Sequence, residues 1–438
     1  MKNGNKENNK ETGIRSGKDE NENKRLKEYM KIVIVGHVDH GKSTLIGRLF
    51  YDTKSLPESV MDEVRAICKA QGKDVEFAYV LDSLEEEREQ NITIDTTQSF
   101  FRTPKREYAI IDAPGHKEFI KNMITGASQA DTALLIVDVN EGVKEQTKRH
   151  AYLLDMLGLR QFIVVMNKMD LVDYSEERFD AVKEELIGFF SALKLIPTHI
   201  IPVSAKLGDN IAEKSKNIGW YSGPTVLEAL DKFELKKSGS KKALRMPVQD
   251  VYKINDKRIL AGRIESGTLR QGDEIIFFPS GKTSRIKAVE MFNEDRKEAE
   301  QGECIGVTID DPLFIERGEI LCRKGEHEPK TTSILNANIF WMAKDDLNKK
   351  TRLVLKCATQ EHECSIQSIN KRIDSSTLSL IEENSSILKP TEVGEVLIKT
   401  DRPIAIENFS DCEELGRFVL IDGYDTAAGG IMRDNDIQ

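Results

Sequence analysis

The chain has 438 residues, a formal net charge of −10, and a composition of 39% hydrophobic and 32% charged residues. This length predicts two or three domains. No apolar run approaches the roughly 18–20 residues that a membrane-spanning helix needs, so we expect no association with a membrane. The acidic balance is a poor match for a broad nucleic-acid-binding surface, so we expect no DNA partner.

The first segment, residues 1–29, is rich in Lys, Glu and Asn and has almost no apolar residues. It lacks the apolar core that a signal peptide needs, and we interpret it as a disordered polar tail. The cysteines are scattered without a Cys-x-x-Cys pair, at Cys68, Cys304, Cys322, Cys357, Cys364 and Cys412. This pattern is typical of reduced, mostly buried thiols and predicts a cytoplasmic protein.

The clearest functional pattern has the spacing GxxxxGK[ST] of a phosphate-binding loop, and it reads Gly36-His37-Val38-Asp39-His40-Gly41-Lys42-Ser43. It follows the apolar run Ile32–Val35, which predicts a buried strand, and it precedes a stretch that can form a helix. In that setting backbone N–H groups and the positive helix end face a polyphosphate. We expect Lys42 to reach the β- and γ-phosphates, Ser43 to bind Mg²⁺, and Thr44 to lie at the nucleotide.

Apolar runs alternate with helix-like stretches between residues 30 and 238, which is typical of a mostly parallel α/β sheet with helices on both faces. The runs are Ile32–Val35, Tyr108–Ile111, Ala133–Val139, Phe162–Met166 and Ile200–Val203. A polar stretch at 236–242 is typical of a linker. Short strand-like runs with glycine turns follow, and they predict two small β-barrel domains, at 239–328 and 329–438.

A second group of candidate residues follows the predicted strand Tyr108–Ile111, where the chain reads Asp112-Ala113-Pro114-Gly115-His116. Sheets of this kind bind ligands beyond the carboxyl ends of their strands. An acid at this position can hold Mg²⁺ through water, and the Gly115 amide can contact a γ-phosphate. His116 follows directly and is placed to orient a water molecule.

Residues that select the base are predicted after the last two of these strands, Phe162–Met166 and Ile200–Val203. Asn167-Lys168-Met169-Asp170 follows one of them, and Ser204-Ala205-Lys206 follows the other. A short carboxylate such as Asp170 can accept two N–H bonds from guanine, a pattern that adenine does not offer. Lys168 can lie over the base, Asn167 can link loops, and the backbone at 204–206 can bind guanine O6.

Thr93 lies in a polar stretch, Glu89–Asp95, between the phosphate-binding loop and Asp112. A threonine in this interval can complete the Mg²⁺ shell only when a γ-phosphate is present, which would make the segment an order–disorder switch. We therefore expect GTP and Mg²⁺ as cofactors, with Ser43, Thr93 and Asp112 as the metal-binding residues.

The order of these motifs resembles the GTPase superfamily, and the spelling GHVDHGKST looks like its translation-factor class. The resemblance implies an α/β P-loop GTPase domain followed by two barrels. It also implies that His116 positions the attacking water, that Val38 and Ile92 form an apolar gate beside it, and that the catalytic residues are His116, Thr93 and Lys42.

Longer stretches resemble the GTPase subunit of the two-subunit sulfate adenylyltransferase, namely Asn167–Glu176, Trp220–Thr225, Met246–Gln249 and Trp341–Ala343. This resemblance implies a catalytic small subunit as partner, in a heterodimer or a multimer of heterodimers. In that family the partner joins sulfate to AMP from ATP and releases diphosphate, and GTP hydrolysis drives this unfavourable step of sulfate assimilation. We therefore predict that the chain energises formation of adenylyl sulfate.

The alternative is a translation factor, an elongation or release factor relative that binds aminoacyl-tRNA or the ribosome. His37 and His40 favour it, because they spell the loop as an elongation factor does. Residues 330–438 point the other way, with 13 Lys and Arg against 18 Asp and Glu. An acidic barrel is a poor match for an RNA backbone, so the sequence alone favours the sulfurylase interpretation.

Overall fold

A computed structural model describes residues 29–56, 58–70, 72, 76–80, 98–112, 130–234, 242–254, 257–291 and 294–433. Along this part of the chain an α/β sheet is followed by two β-barrels, which confirms the predicted fold class. Residues 1–28 and most of the predicted linker lie outside the described residues. The domain boundaries stay predictions. No helix in the described ranges is long and apolar enough to cross a membrane.

The first sheet has six strands in the order β2-β3-β1-β4-β5-β6. Their bounds are β1 Tyr29–Gly36, β2 Gln98–Arg102, β3 Glu107–Asp112, β4 Thr132–Asp138, β5 Phe162–Asn167 and β6 His199–Pro202. Every neighbouring pair is parallel except β2 with β3. Strands β4 and β5 are buried along their whole length. A parallel sheet covered on both faces requires such continuous apolar strands.

Helices cover both faces of this sheet, and they are α1 Lys42–Asp52, α2 Glu58–Ala70, α3 Glu145–Met156, α4 Glu176–Leu193 and α5 Val226–Lys232. Side chains alternate along β1, so Val33 and Val35 pack with α3 and α4, whereas Ile32 and Ile34 pack with α1, α2 and α5. Each face therefore has its own hydrophobic core. Residues 117–128, one of the helix-like stretches that alternate with the apolar runs, lie outside the described residues.

The first barrel is built from β7 Met246–Ile254, β8 Lys257–Arg263, β9 Thr268–Arg270, β10 Glu274–Phe278, β11 Thr283–Met291, β12 Glu294–Arg296, β13 Glu298–Glu300, β14 Cys304–Ile309 and β15 Ile320–Arg323. Strands β10, β15, β7, β8, β14 and β11 follow one another, and β11 pairs again with β10. The sheet therefore closes on itself, which leaves no long unpaired edge in this ring.

The second barrel is built from β16 Lys330–Trp341, β17 Leu347–Asn348, β18 Arg352–Cys357, β19 Gln360–Asp374, β20 Leu380–Ser385, β21 Ile387–Leu388, β22 Glu392–Ile406, β23 Arg417–Asp422 and β24 Asp425–Met432, with a short helix α6 Glu413–Gly416. Strands β18, β23, β24, β16, β22 and β19 form the ring, which closes where β19 pairs with β18. Phe340 and Val393 of this barrel pack into the α3 side of the α/β domain.

A buried ion pair joins the two barrels. Arg245, just before β7, is 1% exposed, and Glu407, just after β22, is 4% exposed. The guanidinium Nε donates to Glu407 Oε1 at 2.8 Å, and another guanidinium nitrogen donates to the carbonyl of His327 at 2.6 Å. Because each buried charge has a partner, the pair is tolerated, but either charge alone would be costly.

Replacing Glu407 with Ala should lower the free energy of unfolding by about 3–5 kcal/mol, because Arg245 is then left charged and unpaired in the interior. A second replacement, Arg245→Met, in the same chain should recover much of this loss. Urea unfolding of the two single variants and the double variant measures both effects. A single variant within about 1 kcal/mol of the wild type would show that water reaches this interface.

Candidate functional site

The phosphate-binding loop connects the end of β1 to the start of α1, as its sequence predicts. Gly41 has φ 92° and ψ 32°, a left-handed conformation that only glycine adopts easily. A Cβ at Gly41 would lie 2.4 Å from Nδ2 of Asn167, and a Cβ at Gly36 would lie 2.6 Å from the Ile136 carbonyl. Both glycines are therefore required by close packing of the loop against the neighbouring strand ends.

Lys42 turns back over this loop. Its Nζ donates to the carbonyl of Gly36 at 2.9 Å and to that of His37 at 2.8 Å. Ser43 is exposed in the first turn of α1, with Thr44 next to it. A cation and a hydroxyl thus lie at a helix N-terminus, which is a favourable place for anionic phosphate groups.

Asn167 joins three loops at the carboxyl edge of the sheet. Its Nδ2 donates to the carbonyl of His40 at 2.9 Å, and its Oδ1 accepts the backbone N–H of Ala205 at 2.9 Å. The side chain is buried. The phosphate-binding loop, the Asn167–Asp170 segment and the Ser204–Lys206 segment are therefore held next to one another.

Asp170 lies on a 3₁₀ helix, Met169–Val172, directly after β5. Met169 is buried, whereas Asp170 is only partly buried, and Lys206 is exposed at the end of its loop. Lys168 has a left-handed backbone, φ 64°, and its Nζ lies 2.8 Å from Oδ2 of Asp138. Asp138 ends β4, and the sequence patterns did not predict it as a site residue.

Aromatic residues pack against the segment that contains Asp170. The indole Nε1 of Trp220 donates to the Tyr174 carbonyl at 2.9 Å, and its ring lies 5.1 Å from that of Phe179. The Tyr174 hydroxyl donates to Asp209 at 2.9 Å. Burial and this hydrogen bond raise the pKa of Tyr174 to about 12, so the hydroxyl stays a donor at neutral pH. Trp220 therefore stabilises the segment that contains Asp170.

Two histidines belong to the phosphate-binding loop, His37 and His40, and a third, His150, lies near them. The ring of His37 contacts that of His40 edge-on at 5.1 Å, and His37 Nδ1 bonds Gln146. His40 is fully buried, and its Nδ1 accepts the backbone N–H of Asp138 at 3.2 Å. Burial lowers the pKa of His40 to about 4. Burial and the nearby Lys42 charge lower the pKa of His150 to about 3.

These values make His40 and His150 neutral at physiological pH. The His40 ring fills the space between the phosphate-binding loop and β4. The backbone carbonyl of His40 accepts the hydrogen bond from Asn167. The loop is thus shaped by a buried imidazole.

Several predicted site residues lie outside the described part of the chain. They are Thr93, Ala113, Pro114, Gly115 and His116, together with the gate residue Ile92. Asp112 ends β3, next to Ile34 of β1, and its side chain is not described. The structure therefore places the phosphate and base segments, and the roles of the switch and water-positioning residues stay predictions.

The described residues fit a magnesium nucleotide. They contain no cluster of three or more His, Cys, Asp or Glu side chains that could hold a metal by itself. Mg²⁺ keeps several waters and is commonly bound by one or two protein oxygens plus substrate phosphates. Ser43 has a hydroxyl oxygen of this kind, exposed in the first turn of α1.

Three family models match the chain. They are the elongation factor Tu GTP binding domain at 27–236, elongation factor Tu domain 2 at 257–322, and the GTP-eEF1A C-terminal domain-like family at 334–433. Together with the geometry above, the first match defines a GTP-binding P-loop GTPase domain.

Curated relatives match over nearly their whole length. Elongation factor 1-alpha of Methanocorpusculum labreanum is 38% identical over 93% of this chain and 97% of that protein. The same factor of Methanopyrus kandleri is 39% identical over 92% and 97%, and that of Archaeoglobus fulgidus 39% over 93% and 98%. The chain belongs to the elongation factor 1-alpha family of GTPases.

A crystal structure of sup35 complexed with GDP aligns with 93% of this chain and 94% of its own, at 25% identity. Its TM-score is 0.43, so this alignment adds nothing to the family assignment.

The sulfurylase interpretation and its small-subunit partner are wrong. The relatives that match almost the full chain, at 38–39% identity, are named elongation factor 1-alpha. Three of the four segments that suggested sulfate activation contain residues with packing roles. Trp220 supports the Asp170 loop, Met246 is fully buried in the first barrel, and Trp341 is 1% exposed and donates to Asp345 of the second barrel. Such packing residues carry no information about a partner.

Replacing Asp170 with Asn should shift base preference from guanine towards xanthine, because an amide donates to the xanthine 2-carbonyl where the carboxylate accepts from guanine. Competition of GTP and XTP for hydrolysis measures the change. Asp173→Asn, on the same loop, is the matched control and should keep the preference for GTP. An Asp170→Asn variant that still prefers GTP would contradict the assignment.

Lowering the pH should destabilise the α/β domain through its buried histidines. Between pH 6.5 and about 4 the unfolded chain binds protons at His40 that the folded chain does not. The free energy of unfolding should therefore fall with decreasing pH, by at most about 1.4 kcal/mol per pH unit for each such histidine. Urea unfolding at pH 7, 6 and 5 measures the slope. His40→Gln should flatten it, and an unchanged slope would contradict the prediction.

Proposed function

We propose that this chain is a translation-factor GTPase that binds GTP with Mg²⁺ and, in that state, binds aminoacyl-tRNA for the ribosome. The full-length match to elongation factor 1-alpha carries the proposal, because it includes the GTP-binding domain and both barrels. A cytoplasmic location belongs to the same proposal. RNA thereby replaces the sulfurylase subunit as the expected partner.

In this function the phosphate side of the site holds the nucleotide through charge. Lys42, at the N-terminus of α1, neutralises the β- and γ-phosphates. Ser43 and Asp112 would hold Mg²⁺, and Thr93 would join them only when a γ-phosphate is present. The ion would neutralise negative charge on the phosphates. Because Thr93 would respond to the γ-phosphate, the binding of RNA would differ between the GTP and GDP states.

The hydrolytic step needs a positioned water. We assign the positioning of this water to His116. We assign Val38 and Ile92 to an apolar gate beside His116. Loss of the γ-phosphate would remove the group to which Thr93 responds, and the RNA-binding form would be lost. The base side, with Asp170, Lys168 and the Ser204–Lys206 backbone, serves both nucleotide states equally and sets the choice of guanine.

Binding of aminoacyl-tRNA should be at least about tenfold tighter when the chain holds a non-hydrolysable GTP analogue than when it holds GDP. Fluorescence titration of labelled aminoacyl-tRNA at fixed salt measures both affinities, because RNA binding depends strongly on salt. Equal affinities in the two states, or no binding by a chain that holds GTP, would contradict the proposal.

The Asp170→Asn variant supplies a matched control for that experiment. Its binding of aminoacyl-tRNA should respond to a xanthosine triphosphate analogue and hardly to the guanosine analogue. This result would place the controlling nucleotide at the Asp170 site. Binding that ignores both nucleotides would show that the RNA contact is nonspecific.

A further inference from the structure

Asp138 is a buried carboxylate at the edge of the nucleotide site. Its side chain is 1% exposed, and its Oδ2 lies 2.8 Å from Nζ of Lys168. Its Oδ1 accepts the backbone N–H of Asn140 at 2.8 Å and that of Glu141 at 3.3 Å. Both oxygens are therefore occupied, which a charge at this depth requires.

The backbone brings Lys168 to this carboxylate. Asp138 and Asn167 are register partners at the ends of β4 and β5, and Val139 donates to the Asn167 carbonyl at 3.0 Å. Lys168 follows in a left-handed conformation, φ 64°. The side chain remains 28% exposed while its ammonium group is fixed. The lysine side chain is therefore partly open to solvent although its charge is paired.

The same carboxylate residue is connected to the phosphate-binding loop. The backbone N–H of Asp138 donates to His40 Nδ1 at 3.2 Å, and the His40 carbonyl accepts from Asn167 at 2.9 Å. A closed set of contacts thus runs from His40 to Asp138, to Lys168, and through Asn167 back to His40.

The loop that follows Asp138 is held by hydrogen bonds from a side chain of helix α4. Arg178 of α4 donates to the carbonyl of Val139 at 2.9 Å and to that of Asn140 at 3.0 Å. Asp138 therefore has little freedom to follow Lys168 if the lysine moves. The carboxylate is the fixed point, and the lysine is held by it.

We infer that Asp138 is a positioning residue for guanine-nucleotide binding, which holds Lys168 where its stem covers the base and links that orientation to the phosphate-binding loop through His40. This inference rests on the proposed nucleotide site. A lysine side chain has many rotamers, and it loses that freedom when it is ordered. The ion pair restricts the side chain before the nucleotide arrives, so less entropy is lost on binding.

Affinities for GDP and a GTP analogue should be measured for the wild type, Asp138→Asn, Lys168→Met and the double variant. Each single change should raise Kd for both nucleotides about tenfold, because the base is common to the two. The double variant should bind no worse than Lys168→Met alone, since Asp138 acts through the lysine. Losses that add in the double variant would overturn the inference.

Asp180→Asn is the matched control, because this carboxylate on α4 is 52% exposed and pairs with Lys183 at the surface. It should leave both affinities unchanged. If Asp138→Asn does not fold, Lys168→Arg and Lys168→Met decide the question. Arginine can still pair with Asp138 and should keep Kd within about threefold, whereas methionine should not. Equal losses in these two variants would overturn the inference.

The readout needs only nucleotides, so it is independent of any RNA. A wild type that binds GDP and ignores aminoacyl-tRNA would overturn the translation function and leave the Asp138 test intact. A wild type that binds GDP and aminoacyl-tRNA, with Asp138→Asn folded and binding GDP as tightly, would overturn only the Asp138 inference.

Discussion

The nucleotide site depends on one buried side-chain amide, that of Asn167. Its two bonds join segments that are 127 and 38 residues away in the chain, at His40 and Ala205. Each bond is an ordinary hydrogen bond of about 1 kcal/mol. Their importance is geometric, because the segment predicted to bind phosphate and the two predicted to bind guanine must keep a fixed separation to recognise both ends of one molecule.

Parallel sheet architecture makes this arrangement possible. Strands β1, β4, β5 and β6 run in the same direction, so their carboxyl ends and the loops that follow lie at one edge. The close packing of these ends leaves no room for a side chain at Gly36 or Gly41. It also buries His40, whose pKa is lowered to about 4. The site thus tolerates a desolvated ring to keep the loop against β4.

Local patterns predicted most of the fold. The strands and the helix at Glu176–Leu193 follow from apolar periodicity, and the phosphate-binding loop follows from glycine spacing. Asp138 has no such signature, since an acid after an apolar strand is common. Its role arises only when Lys168, thirty residues later, turns back across β4. The Arg245–Glu407 pair spans 162 residues and likewise leaves no local pattern.

The wrong prediction of a sulfurylase small subunit as partner had two sources, and both have physical explanations. Tryptophans at 220 and 341 looked diagnostic, but bulky buried residues report packing that related folds share. Net charge was the second source. In the second barrel Arg372 pairs with Glu392 at 2.6 Å, and Lys371 and Arg433 both pair with Glu395, at 3.3 and 3.1 Å.

Paired charges cancel at short range, so a net excess of acids says little about the potential at a given place. The turn at Lys349–Lys350 is exposed and carries two adjacent lysines, although the barrel as a whole is acidic. An RNA backbone senses potential within roughly a Debye length, about 8–10 Å at physiological salt. Recognition of RNA therefore depends on where cations without a nearby acid cluster on the surface. The net charge summed over residues 330–438 does not show those positions.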